Sequence, residues 1–97
     1  MKLILLVLNQ ALEDEVLKIF EDSDIRGYTK ITDVYGQGSN KGEPHLGTHV
    51  WPEINTLIFT VVPDEKVEML IEAIEVLNSR FEEEGLHAFV LNVEKMI

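Results

Sequence analysis

The chain has 97 residues, with eight Lys and Arg against eighteen Asp and Glu, a formal net charge of −10 and no cysteine. That length suits one domain, and a hydrophobic fraction of 45% supplies a real core, which excludes a disordered chain. An acidic surface without a Lys/Arg cluster repels phosphate backbones, so nucleic-acid binding is excluded, and the lack of cysteine removes disulfides and thiolate chemistry and fits a cytoplasmic protein.

"MKLILLVLNQ" opens with a lysine and an apolar run, Leu3–Leu8. The run is too short for a signal-peptide core or a membrane span, and nothing resembling a cleavage site follows. It reads as a strand covered on both faces, because Leu3, Leu5 and Val7 alternate with Ile4, Leu6 and Leu8. The next segment places Leu12, Val16, Ile19 and Phe20 at helical spacing, with Gly27 as the expected stop. "GYTKITDVYG" is rich in Tyr, Thr, Ile and Val and predicts a second strand.

A long connection, residues 37–53, separates it from a third strand, "INTLIFTVV", whose Leu57, Phe59 and Val61 again alternate with Ile58 and Val62. "VVPDEKVEMLIEAIEVLNSRFEEEG" predicts the clearest helix. Asp64 is the expected cap, Glu65 suits the positive helix start, and Val67, Leu70, Ile71, Ile74, Leu77 and Phe81 form one apolar stripe that Gly85 would end. "LHAFVLNVEKM" predicts a fourth strand.

The order β-α-β-β-α-β predicts an α+β fold, a ferredoxin-like sandwich with a four-stranded antiparallel sheet. Right-handed crossovers place both helices on one face. The other face is then apolar and bare. Burying one large aliphatic side chain is worth about 1.5–3 kcal/mol, so self-association through that face is expected.

"VYGQGSNKG", then a loop, then "INTLIFTVVPDEKVEMLIEAI" resembles the P-II family of small trimeric signalling proteins. The matching positions are Gly36, Gly38, Lys41, Gly42 and Val61–Asp64, with an Ile25, Gly27, Thr29 step before them. The resemblance covers nearly the whole chain and implies a homotrimer of single domains, 1–97, with loop 37–53 as a shortened equivalent of the family's T-loop. It also implies intersubunit clefts that bind ATP or ADP, and in many members 2-oxoglutarate with Mg²⁺. Gly36, Gln37, Gly38, Asn40, Lys41 and Gly42 are the candidate ligand-binding residues. Glycines let backbone N–H groups approach a phosphate, and lysine supplies the opposing charge. A partner protein, such as a membrane transporter, would dock on the loop.

The departures are specific. Ser39 and Asn40 stand where the family has arginine and glutamine before its Lys-Gly pair, and Glu82, Glu83 and Glu84 replace a second phosphate-binding turn. Each lost charge-assisted contact removes about 1.5–3 kcal/mol, which predicts weakened triphosphate binding. The loop has no tyrosine to modify.

So long a connection in a compact domain is functional or disordered. Glu43, His45, His49 and Trp51 are the candidate partner-binding residues, although Trp51 serves equally well as an anchor of the loop base on the sheet. His45 and His49 are also candidate ligands for a divalent transition metal, two solvated histidines being the plainer reading. A metal-responsive trimer like the CutA-like proteins, which share the fold, is the alternative function. No nucleophile–base constellation is present, so an enzyme is not expected.

Overall fold

A computed structural model of the chain describes residues 1–37, 44–45, 54–81 and 85–97. Strand β1 (Lys2–Asn9) leads through a 3₁₀ turn, Gln10–Leu12, into helix α1 (Glu13–Asp22). Strands β2 (Thr29–Val34), β3 (Gly36–Gln37), β4 (Pro44–His45) and β5 (Asn55–Val62) follow, then a 3₁₀ turn, Asp64–Lys66, helix α2 (Val67–Arg80) and strand β6 (Leu86–Asn92). No helix among the described residues is long and apolar enough to cross a membrane.

The main sheet has the order β2-β5-β1-β6, with every neighbouring pair antiparallel. This is the expected ferredoxin-like arrangement. β1 lies between β5 and β6, from Lys2 opposite Val62 and Asn92 to Leu8 opposite Thr56 and Leu86. Its buried residues Ile4, Leu6 and Leu8 join Ile58, Val62 and Leu86 beneath Val16 and Phe20 of α1 and Leu70, Ile74 and Leu77 of α2. Both helices therefore cover one face.

The opposite face carries Leu3, Leu5, Val7, Leu57, Phe59 and Val61, all only half-buried. At its margins Ile31, Phe89 and Leu91 are 48%, 51% and 45% exposed. A single copy thus leaves a broad apolar surface in water, as the double alternation of β1 and β5 predicts.

Helix α1 ends earlier than its glycine suggests. Asp24, at φ 55°, takes the left-handed position, its N–H reaching Glu21 O while the Ile25 N–H donates to Phe20 O at 2.8 Å. This is the Schellman pattern, with Ile25 packed into the core as its apolar lock. Asp tolerates the left-handed region better than most residues, so Gly27 is not needed as the stop. Lys66 Nζ then donates to Ser23 O and Asp24 O, at 3.2 and 2.8 Å, and the Thr60 hydroxyl donates to Gly27 O. Segment 23–28 is pinned from two elements.

Helix α2 differs from expectation at both ends. It closes at Arg80, so Phe81 falls outside the helix with φ −130° and Gly85, at φ 81°, enters β6 rather than stopping α2. At the start, Pro63 rather than Asp64 holds the cap position of the 3₁₀ turn, and the Asp64 carboxylate takes the amino group of Met1 at 2.8 Å. The hydrogen bond from that amino group, then its charge, holds the Asp64 carboxyl below its ordinary value of 3.8.

A depressed folded-state pKa gives a contribution that is present above the unfolded value and lost as pH falls through the folded one. Asp64→Asn is therefore expected to flatten the acid side of the stability curve below about pH 4, measured by urea midpoints across pH.

Candidate functional site

The C-terminal ends of β1 and β2 meet the N-terminal ends of β5 and β6, and the long connection leaves and returns at this end of the sheet. Val34 lies opposite Asn55 after a register shift, with Asp33 at φ 58° in the irregular step. Beyond it the chain forms a small antiparallel ribbon, Gly36 opposite His45 and Gln37 opposite Pro44. The sequence marks 37–53 as one long connection, functional or disordered. The ribbon adds strand pairing at Gln37, Pro44 and His45, which sets the register of the two arms.

Of the candidate ligand-binding residues, Gly36 and Gln37 are strand residues at the loop root. Gly38, Asn40, Lys41 and Gly42 lie outside the described residues, as do Glu43, His49 and Trp51 among the candidate partner contacts. His45 belongs to β4 by its backbone. Among the described residues no group of three or more His, Asp or Glu is placed to hold a metal ion.

A Cβ built at Gly36 would meet Asn55 Nδ2 at 3.5 Å, an ordinary contact, and Gly36 is not among the positive-φ residues. Packing and backbone geometry therefore do not require glycine at this position.

Polar groups missed by the sequence reading gather at the same end. Asn9 is 4% exposed. Its Oδ1 accepts from Ala11 N at 2.8 Å and caps the 3₁₀ turn, while its backbone N–H donates to Gly85 O at 3.0 Å. Asn9 Nδ2 is buried without a hydrogen-bond partner. A buried amide donor left unpaired costs about 1–3 kcal/mol, and Asn9 Nδ2 has no partner among the described residues. Asn9 faces Asn55 across β1 and β5, and His87 faces Val7 on the bare side of the sheet. On the helix side, the Glu13 carboxylate accepts from the Thr56 hydroxyl and from Lys30 Nζ at 3.2 Å. That pairing satisfies Lys30 internally. The signal for Asn9 was visible as a lone amide closing an apolar strand, where it reads equally as a turn residue.

Among the described residues the arrangement is a sheet end bearing the amides of Asn9 and Asn55 and the imidazole of His87, with a glycine-bearing arm beginning at Gly36.

Comparison with known proteins bears on the whole chain. The family model described as "Nitrogen regulatory protein P-II" matches residues 1–97. Among solved structures, CPII from Thiomonas intermedia bound to ADP and bicarbonate is 24% identical with a TM-score of 0.75, covering 92% of this chain and 81% of its own. The same protein bound to ADP, AMP and bicarbonate is 22% identical with a TM-score of 0.76, covering 95% of this chain and 90% of its own. A putative PII-like signaling protein from Thermus thermophilus is 21% identical with a TM-score of 0.66, covering 95% and 85%. At these identities the likeness is one of fold. No curated protein matches the sequence.

Proposed function

The chain belongs to the nitrogen regulatory protein P-II family, and from that premise we propose that it is a signal-transduction protein that reads a small ligand at the loop root and passes the reading to a partner protein. In this reading residues 1–97 form one P-II-like domain, three copies assemble through the bare sheet face, and loop 37–53 acts as the T-loop. The observation that carries it is the family match along the whole chain. The apolar face of β1 and β5 supports the assembly, and the ribbon of β3 and β4 supports a loop displayed in a defined direction.

The ligand class is an adenine nucleotide with one or two phosphates, at a site built from Gly36, Gln37, Gly38, Asn40, Lys41 and Gly42. One relative of this fold, CPII, was solved with ADP and bicarbonate and, in a second structure, with ADP, AMP and bicarbonate. A third phosphate would meet Glu82–Glu84 with little opposing charge, so ATP is the weaker ligand. The regulated partner is a protein, with a membrane transporter as the leading class and Glu43, His45, His49 and Trp51 as its contacts.

Isothermal titration of the intact protein with AMP, ADP and ATP tests this reading. AMP and ADP are expected to bind more tightly than ATP. Gly36→Ala should keep the fold, since its Cβ fits, yet weaken nucleotide binding at least tenfold by blocking backbone approach. Lys41→Ala should cost about 10–100-fold, the worth of one charge-assisted contact. Absence of heat from all three nucleotides, in a sample shown to be trimeric, would remove the nucleotide from the proposal.

A further inference from the structure

The other end of β2 carries a recess that the loop-root reading does not use. A cavity of about 360 Å³ opens between the last turns of α1 and segment 24–28. Its apolar wall is Leu17, Phe20, Ile25 and Tyr28, with the Phe20 and Tyr28 rings edge to face at 5.8 Å. Tyr28 is nearly half exposed although Phe20 beneath it is buried. The polar rim is Glu21, Asp24 and Arg26.

The rim is unbalanced in charge. Asp24 Oδ1 lies 3.5 Å from Arg26 Nε, which pairs one carboxylate with the only cation that lines the recess among the described residues. The other lysines nearby are committed elsewhere, Lys18 to Asp22 and Lys66 to the carbonyls of Ser23 and Asp24. Glu21 has no cationic partner among the described residues. The recess thus joins an exposed aromatic ring, an apolar floor and one uncompensated carboxylate.

It is also built in advance. The Schellman turn fixes the backbone of 20–25, Lys66 clamps residues 23 and 24, and the Thr60 hydroxyl holds Gly27 O. A preformed concavity with few polar groups is what ligand sites share, and its volume sits at the small end of their range.

We propose that this recess binds an organic monocation on a short aliphatic stem, a guanidinium or ammonium head whose charge meets Glu21 and whose stem lies on Tyr28, Ile25 and Leu17. The electron-rich face of a tyrosine attracts such a head within about 6 Å, and the carboxyl end of a helix favours positive charge. Two sources carry this chemistry, a free guanidino or amino compound and an arginine or lysine side chain on a partner protein.

NMR titration of the full chain distinguishes them, with butylguanidine, N-acetyl-arginine N-methylamide and the neutral N-acetyl-norleucine N-methylamide as probes. Both cations are expected to shift Phe20, Glu21 and Tyr28 resonances saturably, and the neutral probe is not. Glu21→Gln should weaken cation binding at least tenfold with the fold unchanged by circular dichroism, whereas Glu72→Gln on α2 should not. Tighter binding of the arginine amide supports a protein-borne head, and tighter binding of butylguanidine supports a free one. Equal shifts from the neutral probe, unchanged affinity in Glu21→Gln, or no saturable shift from either cation would overturn the site. None of these outcomes depends on nucleotide binding at the loop root.

Discussion

Phe59→Glu is expected to convert the protein into a folded single subunit. Phe59 lies on the bare face, flanked by Leu5 of β1 and Thr29 of β2. Its side chain adds nothing to the core beneath the helices, whose β5 members are Ile58 and Val62. A glutamate there would be buried without a partner whenever copies associate, and an uncompensated buried charge costs several kcal/mol. Each copy also loses the roughly 1.5–3 kcal/mol that burial of a phenylalanine supplies. Sedimentation velocity at micromolar concentration should show a trimer for the wild type and a monomer for the variant, with far-UV circular dichroism unchanged. A wild-type chain that sediments as a stable monomer would contradict the proposed assembly at once.

Leu6→Ala should be among the most damaging truncations inside one subunit. Leu6 is fully buried in the central strand, opposite Ile58 on one side and Ala88 on the other. Removing such a side chain from a core that cannot collapse costs about 2–5 kcal/mol, a large share of the 5–15 kcal/mol that holds a typical domain together. Urea unfolding should show a matching fall in midpoint with an unchanged slope. Leu5→Ala, one residue away on the bare face, should cost the isolated subunit much less and the assembly more. The contrast between neighbours separates the two faces by measurement.

The alternation that underlies both results was legible before any coordinates. Leu3, Leu5 and Val7 against Ile4, Leu6 and Leu8 assign the two faces of β1, and the order of strands and helices then leaves few topologies. What the sequence hid were choices between near-equivalent partners. Gly27 looked like the stop of α1, yet Asp24 reaches the left-handed region at modest cost and lies where Ile25 can enter the core. Asp64 looked like a cap, yet an amino group brought alongside by folding is the stronger partner for its carboxylate. The ribbon at the loop root escaped notice because two rungs of Gly-Gln and Pro-His have no periodicity to read. Of the candidate site, Gly36 and Gln37 were readable as a glycine-bearing arm. Asn9 was not, since its orphan donor arises only when β1, β5 and β6 converge around it.

The central position of β1 has a consequence for the birth of the molecule. It precedes both of its partners in the chain and is enclosed only when the second arrives, because they lie at 55–62 and 86–92. At a synthesis rate of about 5–20 residues per second, roughly 5–15 seconds separate its emergence from that of β6. During that interval a greasy strand has no native companion on one flank, and closing such distant pairs is slow in itself. Ribosome-bound chains halted before residue 86 are therefore the species that a holding chaperone should recognise, and pairing of β6 with β1 should end that need on this flank.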